Sequence, residues 1–82
     1  MRNFLLVYNR TRGRLLEMVE YPDSAEALRA RFDAERLHRG DPSIEVVVLR
    51  ADSEEAMRRT HTRYFADLHE LLADGYRLIA RA

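Results

Sequence analysis

The chain has 82 residues, and its 14 basic residues balance 14 acidic ones, for a formal net charge of zero. All of the basic residues are Arg; Lys, Cys, Trp and Gln are absent. This length fits one domain with a thin stability margin, and a 46% hydrophobic content is enough for one core and argues against disorder. Without Cys there is no disulfide, no thiol nucleophile and no Cys-ligated metal. Zero net charge excludes a generally basic nucleic-acid binder and leaves only a local patch.

Asn3 to Asn9 reads as strand one, with Phe4, Leu5, Leu6, Val7 and Tyr8 continuously apolar. That run is far short of the roughly 20 residues that span a bilayer. The start lacks the layout of a signal peptide, so the expected location is cytoplasmic, with no membrane partner. Arg14 to Tyr21 reads as strand two, carrying Leu15, Leu16, Met18, Val19 and Tyr21. The polar loop between them holds Gly13 late, where a hairpin needs positive φ.

Pro22-Asp23 ends the second strand. Asp23 followed by Glu26 is a capping-box-like start for helix one, which runs to about Arg39 and stops at Gly40. Leu28 and Phe32 stand one turn apart, beside a stripe of Ala27, Ala30, Ala34 and Leu37 that lets the helix approach another element closely. Ser43 to Ala51 is strand three, rich in β-branched residues. Asp52 with Glu55 repeats the capping pattern, and helix two is expected from Ser53 to about Ala73, with a break possible near Thr60 and Thr62. Tyr76 to Ala80 is either a short fourth strand or a frayed tail.

The expected fold is therefore a single small α+β (α/β) domain over residues 1–82, in the order β-β-α-β-α, with sheet order 2-1-3. Strands one and three are apolar on both faces, so both faces of the sheet want cover. Either the two helices take opposite faces, or both take one face and a second subunit covers the other. The second arrangement is preferred, which makes the chain a homodimer.

In this topology the hairpin and the end of helix one meet at one end of the sheet. Arg10, Arg12 and Arg14 then share a rim with Arg36, His38 and Arg39. Guanidinium forks bind phosphate or carboxylate oxygens in bidentate fashion. Arg36 has Asp33 and Arg39 has Glu35 within a helical turn, whereas Arg10, Arg12 and Arg14 have no local acidic partner. Arg10, Arg12, Arg14 and Arg39 are thus the candidate anion-binding residues. Arg58, Arg59 and Arg63 form a second basic run; Glu54, Glu55 and Asp67 lie within a turn of them, so a salt-bridged helix face is the simpler account.

No catalytic, cofactor or metal site is expected. His61 and His69 are eight residues apart, about 12 Å along a helix, too far to share one ion. Ser24, Ser43 and Ser53 sit at caps or a strand start, and three isolated Gly residues make neither a P-loop nor a dinucleotide fingerprint. An acid–base group of His61, Arg63 and Tyr64 lacks a nucleophile and a paired carboxylate.

Two stretches, Phe4-Leu-Leu-Val-Tyr-Asn-Arg-Thr-Arg-Gly-Arg-Leu-Leu16 and Ala51-Asp-Ser-Glu-Glu-Ala-Met-Arg-Arg-Thr-His-Thr-Arg-Tyr-Phe65, together resemble a group of small proteins from GC-rich actinobacteria that has no assigned activity, cofactor or catalytic set. The likeness covers roughly residues 4–65. It implies a stand-alone small bacterial domain and transfers no functional residue. The expected function is a non-catalytic, homodimeric domain acting through protein–protein contacts. The alternative is binding of nucleic acid or a phosphorylated ligand at the basic rim, which implies salt-sensitive affinity.

Overall fold

A computed structural model of the chain describes residues 1–65 and 78–80. The elements are β1 (Arg2–Asn9), β2 (Arg14–Tyr21), α1 (Ser24–Leu37), β3 (Ile44–Ala51), α2 (Glu54–Thr60), a 3-10 turn (Thr62–Tyr64) and β4 (Leu78–Ala80). The sheet order is β3-β1-β2-β4, so the expected 2-1-3 arrangement is found, with the short final strand added beside β2. β1 pairs antiparallel with both β2 and β3, while β4 runs parallel to β2.

The β1–β2 hairpin turns on Gly13, whose φ of 64° lies in the left-handed region. Within it, Tyr8 faces Leu15 but Val7 faces Glu17, so Leu16 is an extra residue in β2. This bulge has a packing consequence. Leu15 and Met18 are three apart, which in a regular strand puts them on opposite faces. With Leu16 looped out and exposed, both turn to the same side and are buried.

The two helices cover opposite faces of the sheet. On one face, Phe4, Leu6, Tyr8, Leu15 and Met18 join Ala51, Met57, Tyr64 and Phe65 in the main core, with Val47 and Leu49 packed against it. This is the side of α2 and the 3-10 turn. On the other face lie Leu5, Val7 and Val19, all buried, under α1 and its fully buried Ala27. The preference for a second subunit over an open face is therefore corrected. Both faces are apolar because each receives a helix from the same chain.

Small side chains explain how α1 seats. Ala27, Ala30 and Ala34 turn toward the sheet and allow a close approach, while Leu28 and Phe32 point outward, 46% and 51% exposed. The helix starts as expected, with the Asp23 carboxylate accepting from the Glu26 N–H at 2.8 Å. It ends at His38, two residues before Gly40, whose φ is 87°.

The second helix departs from expectation at both ends. Its N-cap is Ser53, not Asp52; the Ser53 hydroxyl accepts from the Ala56 N–H at 3.0 Å. It stops at Thr60, and the chain tightens into the 3-10 turn instead of continuing. Thr60 turns its hydroxyl back onto the Ala56 carbonyl at 3.0 Å, a bond that competes with helix propagation. The part of the expected helix from 66 to 73 lies outside the described residues. No helix among the described residues is long and apolar enough to cross a membrane.

Candidate functional site

The end of the sheet that carries the hairpin gathers chemistry from four segments. The Arg10 backbone N–H donates to the Ser43 carbonyl at 2.7 Å, and its guanidinium Nη2 donates to the Pro42 carbonyl at 2.9 Å. The hairpin and the α1–β3 loop are thereby joined at one end, as the topology implied. The same contacts change what Arg10 is. Its side chain clasps two loops together, so part of its donor capacity is already used.

Arg12 is exposed, and its backbone N–H is held by the Asn9 side-chain oxygen at 3.0 Å, which fixes the shape of the turn. Arg14 is half-exposed at the start of β2. Arg39 is exposed just after α1. The expected partner of Arg39, Glu35, instead lies beside Arg31 at 3.7 Å, and Arg36 pairs with Asp33 as foreseen. Asp41, in the same loop, accepts from both the backbone N–H and the hydroxyl of Ser43, which holds its carboxyl below the usual carboxylate range. The rim is thus a mixed-charge loop junction in which Arg10, Arg12, Arg36 and Arg39 are all exposed, with Arg10 bonded to Pro42 and Arg36 to Asp33.

A second constellation stands beside it, on the α2 face. Glu45 lies directly across from Tyr8 in the β1–β3 ladder. Its Oε1 accepts from Arg63 Nη2 at 2.5 Å and its Oε2 accepts from the Tyr64 hydroxyl at 2.6 Å. Tyr8 and Tyr64 meet edge to face with ring centroids 5.0 Å apart. The Arg63 guanidinium lies 4.6 Å from the Tyr64 ring centre and 5.8 Å from that of Tyr8. Tyr8 also donates its hydroxyl to the Arg63 carbonyl at 3.4 Å. Both oxygens of one carboxylate are engaged, so the group acts first as a clasp tying the 3-10 turn to β3.

Burial and the Glu45 carboxylate together push the Tyr64 phenol up to about 12. At neutral pH it is a fixed hydrogen-bond donor, not a base. Because its folded value lies above the ordinary one of 10, the interaction stabilises the fold fully below pH 10. That stabilisation is lost as pH rises from 10 toward 12. We expect alkaline unfolding to steepen in this window, and the extra slope to vanish in Tyr64→Phe. Urea melts from pH 8 to 12 on both proteins check this.

Sequence reasoning foresaw His61, Arg63 and Tyr64 near one another but missed Glu45. The signal was a carboxylate at an inward position of strand three, in register with Val47 and Leu49. Arg63 was expected to pair with Asp67, which lies outside the described residues; it reaches Glu45, 18 positions earlier, instead. In the second basic run, Arg58 pairs with Glu54 as expected, and its guanidinium lies 5.9 Å from the Phe65 ring centre. His61 caps the C-terminus of α2 through its backbone N–H. Among the described residues no three His, Cys, Asp or Glu side chains are grouped to hold a metal ion. What the end of the sheet offers chemically is guanidinium recognition of anions, with Arg63 59% exposed in its side chain despite its bond to Glu45. No protein-family model, curated protein or solved structure matches the chain.

Proposed function

We propose that the chain is a non-catalytic cytoplasmic α+β domain that works as a homodimer, through protein–protein contacts. The observation that carries this reading is the outward stripe of Leu28 and Phe32 on α1. Two large apolar side chains one turn apart, half in water, are what a contact surface needs and what an isolated helix face does not. The Arg-only basic usage fits a bacterial chain from a GC-rich genome. Sedimentation equilibrium tests the homodimer. We expect twice the 9.7 kDa chain mass, and a mass of one chain at millimolar concentration overturns it.

A second reading is favoured by the Arg10 clasp, which brings the exposed Arg12 and Arg39 loops to one end of the sheet. In it, that rim takes an anionic ligand, either a phosphorylated molecule or a nucleic-acid backbone.

A further inference from the structure

We infer that the homodimer forms through the outer edge of β3, by antiparallel pairing of β3 with β3 of a second copy about a two-fold axis at Val47. This inference rests on the homodimer reading and names its surface. The first observation is the direction of the backbone groups. In an antiparallel ladder, hydrogen-bonded and non-bonded residue pairs alternate. The bond from Arg10 N–H to the Ser43 carbonyl fixes the phase, and the β1–β3 register is unbroken from there to Ala51. Glu45, Val47, Leu49 and Ala51 therefore turn their backbone groups toward β1. Val46, Val48 and Arg50 turn their N–H groups, and Ile44, Val46, Val48 and Arg50 their carbonyls, toward the open side. Among the described residues no strand pairs there.

The centre of this edge lacks the usual protection. β3 has no Pro, no Lys and no bulge, and its centre is Val46-Val47-Val48-Leu49, each half-buried on its own face. Zero net charge adds no long-range repulsion between copies.

The α1 stripe supplies the second observation. The helix lies over β1 and β3. A right-handed crossover from β2 to β3, combined with the right-handed turn of the helix, directs the flank bearing Leu28 and Phe32 to the β3 side. A two-fold axis normal to the sheet keeps both α1 helices on the same face. Leu28 and Phe32 bracket the middle of α1 as Val47 marks the middle of β3. The same axis therefore sets each Leu28–Phe32 pair against its counterpart. Centring on Val47 pairs Val46 with the other copy's Val48 and Ile44 with its Arg50, which uses every outward backbone N–H of Val46, Val48 and Arg50.

The absence of Cys makes the test clean, because any engineered thiol is unique. Val47 faces itself in a non-hydrogen-bonded pair, where Cα atoms stand about 4.5 Å apart, within disulfide range. Mild oxidation of Val47→Cys at low micromolar concentration is expected to give a covalent dimer, and Leu37→Cys, on the far flank of α1, is not. Val48→Pro removes an outward N–H without touching the β1 ladder, and is expected to melt as a folded chain yet sediment as a monomer. Phe32→Asp is expected to weaken self-association by about 10-fold or more. If the unaltered chain is dimeric but Val47→Cys stays uncrosslinked and both other variants remain dimers, the edge is wrong and the homodimer stands. If the unaltered chain is a monomer, both fall.

Discussion

Phe4→Ala is expected to destabilise the fold by about 3–5 kcal/mol. Phe4 is fully buried and sits on the α2 face of the central strand, between Leu49 of β3 and Glu20 of β2. Its ring belongs to the cluster of Leu6, Met18, Met57 and Phe65, so truncation leaves a cavity that the rigid centre of the sheet cannot close. A domain of this length has a total stability of only about 4–12 kcal/mol. The loss is therefore a large fraction of the whole and threatens folding at physiological temperature. Urea denaturation checks this through a lowered midpoint at unchanged slope. A change under about 1 kcal/mol would contradict the burial of this residue.

The second large effect is expected at Glu45. Glu45→Ala deletes the acceptor of both Arg63 and Tyr64. Arg63 is well exposed and rehydrates, but Tyr64 is buried, and its hydroxyl loses its partner. An unsatisfied buried donor and the loss of a charge-assisted bond together cost about 2–3 kcal/mol. Glu45→Gln keeps an acceptor for Tyr64 without the charge, and is expected to lose less. Pairing Glu45→Ala with Tyr64→Phe in a double-mutant cycle should give a coupling of about 1 kcal/mol or more. Strict additivity would mean that the clasp does not hold the 3-10 turn.

Much of the architecture is legible from residue order. The hairpin follows from Gly13 between two apolar runs, α1 from the Asp23–Glu26 cap and Gly40, and the central place of β1 from its uninterrupted apolarity. The assignment of helices to faces was harder to read. Strands apolar on both sides fit either a helix on each face or a partner subunit on one, and composition alone does not separate these. The small-residue stripe of α1 was legible, apart from Leu37, which is 79% exposed instead of joining it. Ala27, Ala30 and Ala34 make the sheet contact because small side chains let the backbone come close, and the larger Leu28 and Phe32 are left outside. The Glu45 clasp depends on the register that sets Tyr8 opposite Glu45 and on the early end of α2. Neither has a local signature, because both arise from contacts between residues far apart in the chain. That the hairpin meets the loop after α1 follows from topology alone, but that Arg10 grips Pro42 is visible only in three dimensions.

The position of β1 also orders how the sheet is built. β1 and β2 are joined by a turn of a few residues, so their pairing closes a small loop at low entropic cost. β3 must return across α1 to reach the other side of β1, and β4 closes the longest loop of all when it reaches β2. Each later pairing fixes more chain for its contacts, and such non-local pairings set the pace of folding. Loop-closure entropy therefore favours a sheet that grows outward from its first hairpin. β3 can dock on that hairpin before β4 is in place, so the edge that carries Val46 to Leu49 is in hand while the opposite side of the sheet is still being completed.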